Sequence, residues 1–352
     1  MKSIVRVTTV AALAVACAGA LGVQSAAADA FYKGKTITII VSTGGFGSYG
    51  NIARIFKRYM PAHLEGKPEI IVKAMPGAGN VLATNFLYNV APKDGTTIGT
   101  INNSIPLHQV IDGRGVRYDA SKFNWLGSTG NYNSVAIVWH TAGIKTIQDA
   151  MKREVIYGGT GPASSIVIYP TIMNKVLGTK FKVLIGYKSV QGIDIAMERG
   201  EVQGRTGSYT SFNSEHPDWI TQKKINLLVQ VGAKKDKAIP GNVPLLTDLA
   251  KDAKQREILK LISSPIGLGR PYLAPPGVPQ ERVAQLRKAL LDAMNDKGFQ
   301  ADAKKMRLEI DPVSGEELTQ IVSETIHASP EAIAAARALM PKKKSKKKKK
   351  KS

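Results

Sequence analysis

One cysteine occurs in 352 residues, and Cys17 stands inside an apolar N-terminal stretch. Downstream of it there is no thiol, which excludes cysteine nucleophiles, thiolate zinc sites, iron–sulfur clusters and disulfides. Histidine is also sparse. His63, His108, His140, His216 and His327 are scattered, with no His-x-x-x-His pair, so their spacing offers no metal site. Asp and Glu number 27 against 49 Lys and Arg, and no carboxylates cluster where strands are expected to end. No Gly-Lys-Ser/Thr follows a glycine loop, which removes phosphate-loop NTPase chemistry. No Gly-x-Ser-x-Gly elbow occurs either; Ser164 in Gly161-Pro162-Ala163-Ser164 is the nearest approach. Past the first 30 residues no run approaches the roughly 20 apolar residues of a membrane span.

Residues 1–30 read as a secretory leader. Lys2 and Arg6 are its basic end, Val10 to Val23 its apolar middle, and Ser25-Ala26-Ala27-Ala28-Asp29-Ala30 its small cleavage region, after Ala28 or Ala30. The run is too short and too rich in Ala and Gly for an anchor, and Ala14-Val15-Ala16-Cys17 lacks the large aliphatic residue of a lipidation site. The expected location is periplasmic. The net charge of +22 is unevenly spread. Nine lysines of residues 342–352 and +1 in the leader leave +12 on the body, which favours anionic partners by long-range attraction. Two readings of the lysine tail stand: a solvated, disordered terminus, or adhesion to anionic lipid. Nucleic acid is not expected, since no aromatic residues interleave with the basic ones.

The body alternates strand-like and helix-like segments, the pattern of an α/β protein. Thr36 to Val41 is a strand, Ser42 to Gly50 a glycine loop, and a helix opens at Asn51 with Ile52, Ile55, Phe56 and Tyr59 on one face. Such a loop aims backbone N–H groups at one point, which suits an anion. Further strands are expected at 69–74, 97–101, 135–139, 155–157, 181–185, 202–206 and 227–231. Helices are expected at 166–177, 193–198, 256–262, 279–294 and 316–325, with Asn80 capping another through Tyr88. Gly45-x-Gly47-x-x-Gly50 spells a dinucleotide fingerprint, but the second strand ends Lys73-Ala74-Met75, with no acid for a ribose. No cofactor is expected. The strand ends carry Gly, Ser, Thr, Asn and Tyr instead, a composition that grips a ligand by neutral hydrogen bonds.

Six segments, in order and at compatible spacing, resemble the solute receptors of tripartite tricarboxylate transporters, also called Bug receptors. They are the loop 42–50 followed by Ala53-Arg54, Met75-Pro76-Gly77-Ala78-Gly79, Ala91-Pro92-Lys93-Asp94-Gly95-Thr96, Tyr157 to Gly161 with Ser164, Gly186-Tyr187-Lys188 with Gly200-Glu201-Val202, and Leu273 to Pro279. The resemblance covers residues 31–330. It implies a type II periplasmic binding fold of α/β class, with two lobes, a hinge and a ligand cleft. It also implies no enzymatic activity, a small carboxylate solute, membrane permease subunits as partners, and a monomer. Lobe 1 is expected at 31–130 plus 250–330, lobe 2 at 131–249, and a C-terminal helix at 331–341. Four positions depart from the family pattern: Gly50 for Asp, Tyr49 for Thr, Ala163 for Gly and Val167 for His.

The expected ligand contacts fall in two opposed loops. Loop one supplies Ser42, Thr43, Gly44, Gly45, Phe46, Gly47, Ser48 and Tyr49; loop two supplies Thr160, Gly161, Ala163, Ser164 and Ser165. Asn103, Tyr187, Thr206, Ser208 and Tyr209, at other strand ends, shape the remainder. Phe46 is expected either on the ligand or tucked under its own loop, and Trp139 in the core. Charged contacts worth roughly 1.5–3 kcal/mol each would reach the roughly −8 kcal/mol of a micromolar site. Two rival functions remain: an exported enzyme acting on a carboxylated substrate, and a surface sensing or adhesion protein using the basic body and tail. Ser164→Ala is expected to lower solute affinity in calorimetry with little effect on folding.

Overall fold

The computed structural model describes residues 31–340; the expected leader and lysine tail lie outside the described residues. In the first strand, β1 (Thr36–Val41), Ile37, Ile39 and Val41 point into one apolar cluster and Ile40 into another. This period-2 split is what a strand covered on both faces requires. The later strands are β2 (Glu69–Ala74), β3 (Thr97–Thr100), β4 (Asn124–Ser128), β5 (Ser134–Trp139), β6 (Val155–Gly159), β7 (Phe181–Ile185), β8 (Gly204–Ser208), β9 (Ile225–Val231), β10 (Pro271–Ala274) and β11 (Val313–Ser314).

These strands form two sheets, in the orders β11-β4-β10-β3-β1-β2 and β7-β6-β8-β5-β9. In the first, β1 runs parallel to β2 and β3 on either side, while β10 is antiparallel to β3 and β4. In the second, β6 runs parallel to β7 and β8, and β5 is antiparallel to β8 and β9. The segments leaving β1 and β6 therefore each emerge where their sheet's strand order reverses. Ligand crevices of open α/β sheets lie at such switch points. The topology thus places loop one and loop two at equivalent positions, one in each lobe.

Helices cover both faces of each sheet. Ser48–Tyr59 buries Ile52, Ile55 and Phe56, and the Phe56 ring packs 4.8 Å from both Tyr272 and Phe299. Each such side chain contributes roughly 1.5–3 kcal/mol when withdrawn from water. In the second sheet Ala136 and Val138 face one cluster, Val135 and Ile137 the other. Helix Ala253–Ser263 sends Ile258, Leu259 and Ile262 into the cluster that holds Ala136, and helix Pro330–Leu339 adds Ala332 and Ala336. Leu107, Val110 and Ile111, reached from β3, join the same cluster.

Strands of the two sheets are joined at 129–133 and again at 264–270, and a third passage at 326–330 leads from helix Gly315–Ile326 on the first sheet to helix Pro330–Leu339 in the second core. At the first two crossings Gly269, with φ of 54°, lies directly over the Gly130 carbonyl; a Cβ there would stand 1.6 Å from that oxygen. Ser128 Oγ ties the two passages by accepting from Arg270 N–H at 3.0 Å and Gly130 N–H at 3.4 Å.

Some local expectations shift. The strand expected at 202–206 runs from Gly204 to Ser208, because Val202 is buried in the turn that closes the preceding helix. The first helix begins at Ser48 rather than Asn51. Asn80 does not cap the next helix: it is left-handed, with φ of 84°, and its side chain accepts from Ser42 Oγ at 3.1 Å. Trp139 is half-buried, its ring edge-on to Trp219 at 5.1 Å.

Lobe 2 encloses one ion pair. Arg205 on β8 donates to both oxygens of Asp194, at 2.5 and 3.1 Å, and His216 Nε2 lies 3.0 Å from the same carboxylate. Burial alone would raise the Asp194 carboxyl; the Arg205 charge and the bonds from His216 and Arg205 outweigh it and hold the group below the usual carboxylate range. A depressed folded value stabilises the fold above the unfolded pKa of about 3.9 and loses that contribution as pH falls through the folded one. Asp194→Asn leaves Arg205 uncompensated and is expected to cost about 3 kcal/mol or more in denaturant unfolding at neutral pH. The deficit should shrink in acid; a constant difference down to pH 2 would count against the pairing as its cause.

Candidate functional site

Where the two loops face each other lies a cleft cavity of about 520 Å³, within the usual range for small-molecule sites of about 300–1,000 Å³. Of loop one, Ser42, Thr43, Gly44, Phe46, Gly47, Ser48 and Tyr49 line it; Gly45 does not. Thr160, Ser164 and Ser165 line it from loop two, with Asn103, Tyr187 and Ser208 from other strand ends. Gly161, Ala163, Thr206 and Tyr209 lie outside the lining. Each of these has a different task. The Ala163 carbonyl accepts from Ser104 Oγ at 2.8 Å, Thr206 Oγ1 donates to the Ile166 carbonyl at 3.2 Å, and Tyr209 packs in the lobe 2 core. Gly161 meets Gly79 of the other lobe, and a Cβ on it would stand 2.4 Å from Gly79 N.

Loop one is held by its own backbone. Arg54 Nη1 donates to the Gly45 carbonyl at 2.7 Å, folding the loop over the first helical turn. A Cβ at Gly50 would stand 2.2 Å from that same oxygen, so glycine at this position follows from the fold of the loop. Gly47, with φ of 84°, precedes the helix and supplies no side-chain cap, and the first turn carries no acid. Phe46 is 76% exposed at the cavity rim and is not tucked beneath its loop. The Tyr49 phenol donates to the Gly269 carbonyl at 3.4 Å; burial pushes it up to about 12 although Arg270 opposes this. It is therefore neutral at any physiological pH, with its proton directed at the Gly269 carbonyl.

Ser164 has a second duty. Its Oγ accepts from Ile166 N–H at 3.3 Å, capping helix Ser165–Val176. Substituting it with alanine is therefore expected to cost stability, about 1 kcal/mol for a lost cap, where the sequence suggested little effect on folding.

Sequence reasoning did not find Arg270, Glu215, Asn80, Tyr132, Ser189, Gln191 and Ser211, all of which line the cavity. Arg270 is 3% exposed. Its Nε donates to Ser48 Oγ at 3.1 Å, and its Nη2 donates to Thr210 and Ser211 hydroxyls at 3.0 Å each and to Ser208 at 3.4 Å. The guanidinium lies 4.5 Å from the Tyr132 ring centre, with the Tyr49 ring at 6.0 Å. No carboxylate lies within ion-pair distance of it among the described residues. Glu215, from the helix after β8, reaches across the cleft: its Oε1 accepts from Ser48 N–H at 2.8 Å. Ser48 and Ser211 hydroxyls meet at 2.9 Å.

Asp194, Glu215 and His216 hold ligand atoms within 4.8 Å of one another. Asp194 already faces Arg205 and His216, and Glu215 faces Ser48 N–H, so a buried guanidinium stands where a cation would have to compete.

Two α/β lobes with glycine loops opposed across a cavity have the geometry of a solute-binding protein. The chain belongs to the tripartite tricarboxylate transporter receptor family, whose model matches residues 52–338; it is a receptor and not an enzyme. A Cupriavidus necator protein described as "UPF0065 protein in gbd 5'region" is 25% identical over 271 residues, covering 74% of this chain and 75% of its own. Among solved structures, the periplasmic binding protein BugD superposes with a TM-score of 0.69 at 18% identity, covering 88% of this chain and 98% of its own. MatC of Rhodopseudomonas palustris with bound malate gives 0.67 at 17%, covering 87% and 99%. An R. palustris protein with adipate gives 0.66 at 17%, covering 88% and 99%. At these identities the likeness establishes the fold. No described helix is long and apolar enough to cross a membrane.

The Gly79–Gly161 approach is a direct test of closure. Gly161→Ala should hold the lobes apart, raising the radius of gyration in small-angle scattering and weakening solute binding by about tenfold or more. A wild-type radius and affinity would show that the loops do not need this contact.

Proposed function

We propose that the protein captures a small carboxylate between its lobes in the periplasm and presents the closed form to a membrane permease of the tripartite tricarboxylate type. The observation that carries this reading is Arg270: a buried cation with hydroxyl neighbours and no acid within ion-pair distance, on the wall of a cavity between two glycine loops. Removing a guanidinium from water is unfavourable without a counter-charge, and a carboxylate solute supplies one. The malate and adipate in the two R. palustris structures are of the same chemical class.

The clamp has two sides. Loop one and Arg270 stand on one, with Ser48 and Tyr49 offering hydroxyls; Thr160, Ser164 and Ser165 stand on the other. A solute bonded to both sides has contacts in the closed state that the open state lacks, so it shifts the population toward closure. With helix Ala253–Ser263 packed into the second sheet's core, we place the lobe boundary nearer 264 than 250. The moving bodies turn at 129–133 and 264–269. We propose that the receptor acts as a monomer.

A thermal-shift screen of the purified mature protein against mono-, di- and tricarboxylates tests the reading, because a solute that binds the native state raises apparent stability. At least one carboxylate should raise the melting temperature without being consumed. Product formation would establish the enzymatic alternative instead. Arg270→Met should sharply reduce the shift, with a loss of roughly 1.5–3 kcal/mol of binding for one charged hydrogen-bonded contact. Full retention of affinity in that variant would remove Arg270 from the site. If deleting residues 342–352 leaves vesicle association unchanged, the tail has no part in membrane attachment.

A further inference from the structure

Glu215 answers a question raised by loop one. The first helix has no cap of its own, no acid in its first turn, and an N-terminus that opens on the cavity. A helix end of this kind attracts an anion. Here the anion is already part of the chain: Glu215, from the opposite lobe, accepts from Ser48 N–H. Both Glu215 oxygens also lie 3.5 Å from where a Gly47 Cβ would be, so the carboxylate sits on the mouth of the loop.

We propose that Glu215 sets solute specificity, by making the cleft select a carboxylate whose neighbouring group is cationic or neutral over one that carries a second carboxylate. This rests on the carboxylate-receptor reading and narrows it. Arg270 and Glu215 meet on a single residue, the first through Ser48 Oγ at 3.1 Å and the second through Ser48 N at 2.8 Å. A positive and a negative pole therefore share one side of the cavity. No Lys, Arg or His lies within ion-pair distance of Glu215 among the described residues. The other charged groups on the cavity wall are Lys188 and Arg205, and Arg205 is already paired with Asp194. A solute carboxylate at Arg270 with an ammonium beside it complements both poles. A second carboxylate in that place faces Glu215, an arrangement that specific sites use to reject a competitor.

The test uses calorimetry on three matched sets, each with one skeleton and three end groups. They are methylmalonate, alanine and isobutyrate; succinate, β-alanine and butyrate; and adipate, 5-aminopentanoate and hexanoate. In the skeleton that binds best, the ammonium form should bind about tenfold or more tighter than the dicarboxylate. Glu215→Gln keeps the shape and an acceptor for Ser48 N–H but removes the charge, and should reverse or abolish that order. The wild-type comparison stands alone should the variant fold poorly. Tighter binding of the dicarboxylate by the wild type overturns the inference while leaving the receptor reading intact. An unchanged ratio in a folded Glu215→Gln overturns the role of Glu215. If none of the nine binds the wild type, the inference falls; if the wider carboxylate screen is also negative, the receptor reading falls with it.

Discussion

A guanidinium with no acid within ion-pair distance stands where the two lobes meet, and much of the site is arranged around it. Arg270 follows the crossing glycine Gly269, yet its donors go to Ser208, Thr210 and Ser211 of one lobe and Ser48 of the other. Hydroxyls solvate a cation without cancelling its charge. The shell therefore keeps Arg270 hydrogen-bonded while leaving its field directed at the cavity, where the dielectric is low and the field is strong. Tyr132 and Tyr49 add ring faces to the same cation, and burial keeps both phenols protonated. By contrast Arg205, only 1% exposed, is fully matched by Asp194 and serves the core of lobe 2.

The parts of this design that repeat along the chain are legible in its sequence. Alternating Ile and Val in β1, and the glycine clusters after β1 and β6, announce strands and loops because their periods and φ requirements are local. Arg270 carries no such signal. It lies in Gly269-Arg270-Pro271, between a turn and a four-residue strand, and its partners are about 60 to 222 positions away in sequence. Glu215 is hidden for a similar reason. It does not end a strand; it sits one short helix beyond β8, and only the meeting of the lobes brings it to Ser48. Short elements such as β4 and β11 escape a reading by pattern because their residues answer to neighbours in the sheet rather than to adjacent sequence.

Gly50 and Tyr49 show how a departure from a family pattern divides on inspection. The absent side chain at Gly50 is demanded by the Gly45 carbonyl beneath it. The phenol at Tyr49 joins loop one to the crossing segment through the Gly269 carbonyl. The expectation that the site would grip by neutral hydrogen bonds took in both loops but not the charges on the cavity wall, which come from elements outside them.

The contact between Gly269 and the Gly130 carbonyl has a mechanical meaning. Two strands of backbone that touch with no side chain between them cannot slide past one another, nor separate without breaking the Ser128 bonds that tie them. Arg270 follows this contact by one residue, while Phe46 and Thr160 stand at the far tips of their loops. On the proposed closing motion the guanidinium would therefore travel less than the loop tips, and the charge would serve as the point toward which the walls converge.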